Sequence, residues 1–506
     1  MMMGPLGVNS LAGAGLGWMW CNVTAKSVIL GTQFGLGALC SQAFGAKNYK
    51  RVGLLLQRQL LFHWLLCLPI GVMWWYTEPL LLRLGQLPSV AAAAGQFVVI
   101  QLPALPLMPV VMDVTTFCAA QRIVRMPMLV SLFANGLAVG LTWVLMYPAG
   151  LGFVGAPIAL LIGQLLHGAL LILLTRRTLE HPTLLPPSHD ALHSWRELIG
   201  LGFGAAVGLW AEWWSGEVMI VMAGMLCSDS AVAVAADSSQ GGLAPAGGAV
   251  LEEVECTVGA ATTLLWNTGA TCWLIHGGFA IATPTRMGNA LGAGDADGAR
   301  FVAAIGATLQ VIPPVPSSFT LLRPYLAQLL PVSPRFLRVF TVSTTRFQRA
   351  PSRNPGPRNG GTSTKSRELG PSFDTTDANQ RIAWQSGVGA LVSLLLFAER
   401  YRYGALFSME GDGLLLVGTL MPFANVVQIG IAVGCGAMRS ILTGLALVTW
   451  PALIQIFAFW PVALLLGYTL AFSFGFGVIG LWIGEAVGCK TSHYRLCLHI
   501  CLFCRT

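Results

Sequence analysis

Apolar runs long enough to cross a membrane recur along most of the chain, separated by short polar or Pro/Gly-containing breaks. About 20 apolar residues in a helix cross a bilayer core, and the runs are too long for the strands of a closed β-barrel. They predict ten helices, at about 8–40, 59–80, 95–118, 126–147, 151–176, 199–226, 259–284, 411–434, 443–470 and 474–489. The predicted fold class is an all-α polytopic membrane protein.

A further helix is interrupted in the sequence. Residues 299–312 and 386–398 are each too short to span a bilayer, but together they have an ordinary transmembrane length. The intervening 313–385 is rich in Pro, Ser, Thr, Gly and Arg, which predicts disorder or an insertion. A second low-complexity stretch is 227–258. Both interruptions fall in the second half of the chain.

Short motifs repeat in the same order in the two halves of the chain. The matched pairs are QAFGAKN (42–48) with NALGAGD (289–295), CAAQR (118–122) with CGAMR (435–439), and GFVG (152–155) with GVIG (477–480). The offset between copies grows by about the length of 313–385, so its removal leaves a regular repeat. We therefore expect two tandem six-helix lobes. The predicted regions are an N-terminal lobe at 1–180, an inter-lobe cytosolic loop at 181–198, a C-terminal lobe at 199–489 and a tail at 490–506.

The first half has five predicted helices and the second half has six, so a leading helix is expected to be missing. Only 10% of residues are charged and 55% are hydrophobic, whereas about a quarter are charged in soluble proteins. Outside the insertions, one set of alternate connections holds most of the basic residues, which places that face in the cytoplasm. These residues are Lys47, Lys50, Arg51, Arg58, Arg122, Arg125, Arg176, Arg177, Arg196, Arg286, Arg300 and Arg439. The opposite face has Arg83, Arg400 and Arg402. The net charge of +8 thus reflects topology and gives no reason to expect nucleic acid as a partner.

The sequence predicts no enzyme and no cofactor. The glycine-rich 288–300 has no preceding strand and no Lys-Ser/Thr pair, so a cytosolic turn is preferred over a nucleotide loop. The eight histidines are dispersed, which leaves no Ser, His and carboxylate set in one pocket. The CLHICLFC stretch has spacings that a zinc site could use, but it lies in a tail expected to be unstructured. No metal site is predicted.

Two glutamates, Glu212 and Glu217, lie inside the apolar run 198–226. A carboxylate near a helix centre costs about 2.5 to 3.5 kcal/mol on insertion scales, so it tends to face a water-filled cavity and serve a substrate or ion path. The alternative is a position near the membrane surface or a structural pair with another helix. Five residues apart, the two side chains point about 140° away from each other. One is therefore expected to line the cavity while the other contacts a neighbouring helix or the cavity mouth.

Four more polar residues lie in predicted helices: Asp113, Asn135, Asn267 and Glu485. For each one alone, a hydrogen bond to a neighbouring helix explains the residue as well as a substrate contact does. Trp213 and Trp214 have side chains that can stack on flat organic cations. Packing and interfacial positions are the commoner roles of tryptophan in membrane helices.

Several segments resemble the multidrug and toxic compound extrusion (MATE) transporters, particularly the eukaryotic, plant-like branch. They are ALCSQAFGAKNYKRVGLLLQR (38–58), LPALP (102–106), GLGFVGAPIA (150–159), AEWWSGE (211–217) and RMGNALGAGDADGAR (286–300). The resemblance implies twelve helices in two lobes around a V-shaped cavity, in a chain that is truncated and carries insertions. It also implies a protein of the plasma or vacuolar membrane that exports organic cations or metabolites in exchange for H⁺ or Na⁺.

The resemblance also assigns roles to individual positions. Glu212 and Glu217 match the acidic pair of the family's seventh helix, and Asn267 matches a position where plant-like members have Asn. The chain departs from the pattern at Gly37, where an acidic residue is usual, and in its shortened tenth helix, which lacks the usual acidic residue. We therefore expect Glu212 to couple cation export to H⁺, with support from Glu217. The alternatives are a lipid-linked sugar flippase of the same superfamily and a non-transporting remnant.

Overall fold

The computed structural model describes residues 8–84, 86, 88–238, 257–311, 398–407, 411–431 and 439–503. The first part of the chain forms eight helices. They are α1 (Val8–Cys21), α2 (Ser27–Gly45), α3 (Tyr49–Trp75), α4 (Thr77–Arg83), α5 (Pro88–Gln101), α6 (Leu107–Ala120), α7 (Arg125–Met146) and α8 (Gly155–Thr178). A π-helical segment, Asn22–Lys26, joins α1 to α2 without a break. The two therefore form one long helical rod.

The later part of the chain is also helical wherever the structure describes it. Its helices are α9 (Arg196–Ser238), α10 (Thr257–Gly292), α11 (Ala296–Val311), α12 (Arg400–Tyr403), α13 (Gly411–Gly430), α14 (Arg439–Gly444), α15 (Thr449–Phe457), α16 (Leu465–Tyr468) and α17 (Gly477–Phe503). Two π-helical segments, Ala458–Leu464 and Thr469–Ser473, extend α15 and α16 into one continuous helix. No described residue lies in a β-strand. The all-α prediction is therefore confirmed.

Five helical spans of the described residues are long and apolar enough to cross a membrane, and a sixth qualifies if α5 and α6 form one span. The axes of α5 and α6 are bent by 55° at a short break. This break contains the LPALP sequence, where Pro103 and Pro106 remove backbone donors and hinder a straight helix. The single helix predicted at 95–118 is thus a bent pair.

Two predicted helix ends are wrong. Helix α9 continues twelve residues beyond 226, because the Ala- and Val-containing sequence up to Ser238 has no Gly or Pro to stop it. Helix α17 continues through the predicted tail to Phe503 for the same reason. Of the interrupted helix, 299–311 lies in α11, and 386–397 lies outside the described residues. Most of 227–258 and all of 313–385 also lie outside them.

Four helices end in the same left-handed turn. Lys47, Arg122, Gly294 and Ala446 have φ of 58°, 67°, 75° and 60°, and each lies two residues beyond the end of α2, α6, α10 or α14. In each turn two successive amides bond back to helix carbonyls, as in the Schellman motif. The turn after α6 therefore corresponds to the turn at Ala446. The match of CAAQR with CGAMR paired Arg122 with Arg439, which lies seven residues before Ala446. Arg439 therefore belongs to helix α14 and not to a cytoplasmic connection. The division into two six-helix lobes stays a prediction.

Helix α2 lies at the centre of the described packing, against α3 and α6 on one side and against α9 and α10 on the other. Small residues allow α2 and α9 to approach closely. A Cβ atom on Gly31 would lie 2.7 Å from the Cβ of Ala206, and one on Gly35 would lie 2.7 Å from the amide nitrogen of Gly202. Between α2, α3, α6 and α8, buried apolar side chains form a core that includes Leu36, Leu56, Val114, Phe117 and Leu171. Because α9 packs closely on α2, the polar residues on this side of α9 are buried between helices.

Candidate functional site

Glu212 of α9 is buried and forms an ion pair with Arg439 of α14. A guanidinium nitrogen of Arg439 donates to Glu212 Oε2 at 2.9 Å, and the two side chains are only 8% and 2% exposed. The guanidinium carbon also lies 5.9 Å from the ring centroid of Phe34 on α2, within cation–π range. The carboxylate thus holds an organic cation, the chain's own guanidinium, inside the helix bundle.

A second carboxylate, Glu485 of α17, lies next to this pair and is 1% exposed. The hydroxyl of Ser215 is 2.8 Å from the backbone oxygen of Glu212 and 3.2 Å from Glu485 Oε1. A serine hydroxyl has one proton, so it can donate to only one of these acceptors at a time. Glu212, Ser215, Arg439 and Glu485 are called the Glu212 cluster below. It contains two acids and one base.

Glu217 lies on a different side of α9 from Glu212 and is half-buried. The part of the chain that the structure describes contains no hydrogen bond or ion pair to Glu217. Between the two acids, Gly216 is in close contact with the ring of Trp266 from α10. The two glutamates are thus separated as their spacing predicted. Glu212 contacts a neighbouring helix through Arg439, and the lining of a cavity by one of the two glutamates stays a prediction.

The two candidate asparagines lie on exposed helix faces. The amide of Asn135 donates to the Ser131 carbonyl of α7 at 2.7 Å, and that of Asn267 donates to the Thr263 carbonyl of α10 at 2.9 Å. Both bonds span one helical turn, so each amide satisfies a carbonyl of its own helix. The aromatic candidates pack in a similar local way, since Trp214 stacks on Trp210 with ring centroids 5.5 Å apart. A cation-stacking role for this ring stays a prediction.

Asp113 of α6 belongs to a separate polar group. It is fully buried, and its Oδ2 lies 2.8 Å from Nδ1 of His63 on α3, which is also fully buried. Sequence reasoning weighed Asp113 alone and did not pair it with His63. The signal was present, because two ionisable residues in neighbouring apolar helices are expected to meet. The structure therefore divides the predicted acidic residues between two places, one around α9 and one between α3 and α6.

Comparisons with known proteins agree on one family. The MatE family model matches residues 1–144. Protein DETOXIFICATION 13 of Arabidopsis thaliana is 32% identical over 313 residues, which cover 62% of this chain and 60% of that protein. Multidrug and toxin extrusion protein 2 of Mus musculus is 32% identical over 299 residues, covering 59% of this chain and 47% of that protein. The chain is thus similar to MATE proteins over part of its length.

The fold of this chain matches that of solved MATE structures. The crystal structure of the eukaryotic MATE transporter AtDTX14 superimposes with a TM-score of 0.74 at 21% identity, covering 99% of this chain and 90% of that one. The chain is therefore an integral, multi-pass membrane protein. It spans less than two thirds of the length of the Arabidopsis thaliana relatives named DETOXIFICATION 13, 12 and 11.

The partners of Glu212 were not found from the sequence. Arg439 was assigned to the cytoplasmic face together with the other basic residues of the alternate connections. Ser215 is one of many serines, and only its place one turn after Glu212 distinguishes it. A buried acid requires a compensating positive charge or proton. A basic residue in a neighbouring helix was therefore the available signal.

Proposed function

We propose that this protein is a MATE-type secondary antiporter that exports organic cations or other small metabolites in exchange for H⁺, or for Na⁺, by alternating access. Its predicted substrate- and ion-coupling residues are Glu212, Glu217, Asn267, Asn135 and Asp113. Glu212 carries the coupling, and Glu217 supports it. The proposed location is the plasma or vacuolar membrane.

The observation that carries this proposal is the ion pair between Glu212 and Arg439. A guanidinium is a delocalised organic cation, so the pair demonstrates that this carboxylate accommodates such a group away from water. Arg439 thus stands in for the substrate cation. The position of Glu212 also matches the acidic pair that the family resemblance associates with cation and proton handling.

The charge of the Glu212 cluster supports exchange rather than simple binding. With Glu212, Glu485 and Arg439 all ionised, the cluster has one net negative charge. A net charge within a membrane protein is costly, so the cluster favours one additional positive charge. A proton and a monovalent organic cation can each supply this additional positive charge, so they compete for the cluster. Binding of one therefore favours release of the other. This competition is the elementary requirement of an antiporter.

Transport by the full chain in proteoliposomes tests the proposal. Ethidium uptake into vesicles is followed by fluorescence under an imposed pH gradient or an imposed Na⁺ gradient. We expect gradient-driven uptake by the wild type and loss of at least about tenfold in Glu212→Gln, which removes the charge but keeps the shape. The matched control is Glu197→Gln, because Glu197 is also on α9 but is exposed and paired with Arg51. Equal loss in both variants, or none in Glu212→Gln, would exclude Glu212 from the mechanism.

One observation favours the alternatives. Arg439 introduces a basic group among the buried residues, as in an arginine-lined flippase, and it closes the Glu212 site, as in a non-transporting remnant. Competition distinguishes the three functions. A lipid-linked sugar that blocks ethidium uptake supports a flippase, and a folded, membrane-inserted wild type that moves no probe under either gradient supports the remnant.

A further inference from the structure

A buried polar group lies between α2, α3 and α6, away from the Glu212 cluster. It consists of Thr32, Gln59, His63 and Asp113, each of which is at most 3% exposed. His63 is its centre, because one ring nitrogen contacts Asp113 and the other lies 2.7 Å from both Thr32 Oγ1 and Gln59 Nε2. Both nitrogens of a fully buried histidine are thus hydrogen-bonded.

The two groups around Nε2 of His63 suit both protonation states of the ring. The Thr32 hydroxyl donates to the Val28 carbonyl at 2.7 Å, which leaves an oxygen lone pair for an N–H on the ring. The Gln59 amide instead offers an N–H, which suits a ring nitrogen without a proton. Rotation of that amide exchanges donor for acceptor at the same place. The site can therefore gain or lose a proton without leaving Nε2 unpaired.

The carboxylate of Asp113 supplies the other half of the site. Its Oδ2 bonds to His63, while Oδ1 is buried with no hydrogen-bond partner among the described residues. With neutral His63 and ionised Asp113, the pair has one net negative charge. One bound proton, shared between the ring and the carboxylate, makes the pair neutral, and neutrality is strongly favoured in a buried site.

We propose that His63 and Asp113 form an exchangeable proton-binding site, which takes a proton from water on one side of the membrane and returns it on the other during transport. The coupling role rests on the proposed antiport function, whereas proton binding itself does not. Thr32 connects the site to α9, because a Cβ on Gly202 would lie only 2.5 Å from the Thr32 carbonyl oxygen. Thr32 therefore lies at the contact between this polar group and the helix that carries Glu212.

Other titratable groups surround the pair. The thiols of Cys40 on α2 and Cys67 on α3 lie within the electrostatic influence of Asp113, and Arg51 acts on Cys40. Arg51 is paired with Glu197 at an exposed site. On α8, which packs against α6, His167 bonds to the Ser131 hydroxyl at 3.1 Å and has no carboxylate partner among the residues that the structure describes. His167 is therefore the matched control for His63.

Nitrogen-15 NMR of histidine-labelled full-length protein in liposomes tests proton binding directly. The His63 signal is assigned by its loss in His63→Asn. Spectra are recorded between about pH 5 and pH 9. We expect the His63 signal to change with pH in the wild type, and this pH dependence to differ in Asp113→Asn but not in His167→Asn. A His63 signal that stays constant across this range, or a pH dependence that is the same in Asp113→Asn as in the wild type, would overturn the proposal. If Asp113→Asn does not fold, Thr32→Val provides the second perturbation, with the same criterion.

A transport assay then distinguishes a failure of the proposed coupling role from a failure of the proposed antiport function. The ratio of gradient-driven ethidium uptake to ethidium–ethidium exchange without a gradient should fall by about tenfold or more in Asp113→Asn, but by less than about twofold in His167→Asn. An equal ratio in the two variants would refute the coupling role. A wild type that transports no ethidium would refute the antiport function and with it the coupling role, while the NMR titration still decides whether the pair binds a proton.

Discussion

The ion pair between Glu212 and Arg439 offers a quantitative test of the account. Replacing Arg439 by methionine keeps much of its length but leaves the Glu212 carboxylate without its cation in a site where it is only 2% exposed. Removing one partner of a buried ion pair typically costs about 3–5 kcal/mol, whereas replacing both partners by uncharged groups of similar volume is often neutral. Arg439→Met and Glu212→Gln should therefore each lose about 3–5 kcal/mol, and the double variant much less.

A double-mutant cycle on the free energy of unfolding measures this coupling. Unfolding is followed in mixed micelles of increasing denaturing-detergent fraction, and the two single variants are compared with the double variant. The control cycle uses Arg51 and Glu197, whose 2.9 Å pair is 45% and 59% exposed and should couple by less than about 1 kcal/mol. A coupling between Glu212 and Arg439 no larger than that of the exposed pair would refute the buried-pair interpretation.

Two further predictions concern α9. A methyl group on Gly202 would lie 2.5 Å from the Thr32 carbonyl oxygen, whereas one on Gly200 would have no neighbour within 4 Å. Gly202→Ala should therefore lower unfolding stability by about 1–3 kcal/mol and Gly200→Ala should not, and equal values would contradict the close packing of α2 on α9. Ser215→Ala removes the hydrogen bond to Glu485 and should cost about 1 kcal/mol in the same assay. An unchanged stability would show that this bond contributes nothing.

Much of the fold follows from the length of the apolar runs. They predict most helices of the first part of the chain because the runs are bounded by residues that stop helices or face water, whereas the LPALP break lies inside the helix predicted at 95–118 and was missed. The sequence could not show where α9 and α17 end, because the polar residues in the last turns of these helices have a composition that is also typical of a loop. Helix bounds depend on packing and capping beyond local composition.

The candidate site was only partly predictable. The cost of burying charge drew attention to Glu212 and Asp113, and both are buried with hydrogen-bonded partners. The partners themselves, Arg439 and His63, come from helices 227 and 50 residues away in sequence. Their meeting depends on helix packing and on the exact end of α14, which the match of CAAQR with CGAMR misplaced. Local sequence contains no information on such contacts.

Equilibrium binding of ethidium to the wild type, Arg439→Met and the double variant with Glu212→Gln tests most directly whether Arg439 occupies a cation site at Glu212. Loss of the guanidinium leaves the Glu212 carboxylate without its cation, and binding of the dye relieves the free-energy cost of this unpaired charge. About 1.4 kcal/mol of that free energy corresponds to a tenfold change in affinity. We predict that Arg439→Met binds ethidium about tenfold or more tightly than the wild type, and that Glu212→Gln abolishes this gain. Equal affinities of the wild type and Arg439→Met, or a gain that survives Glu212→Gln, would contradict the account.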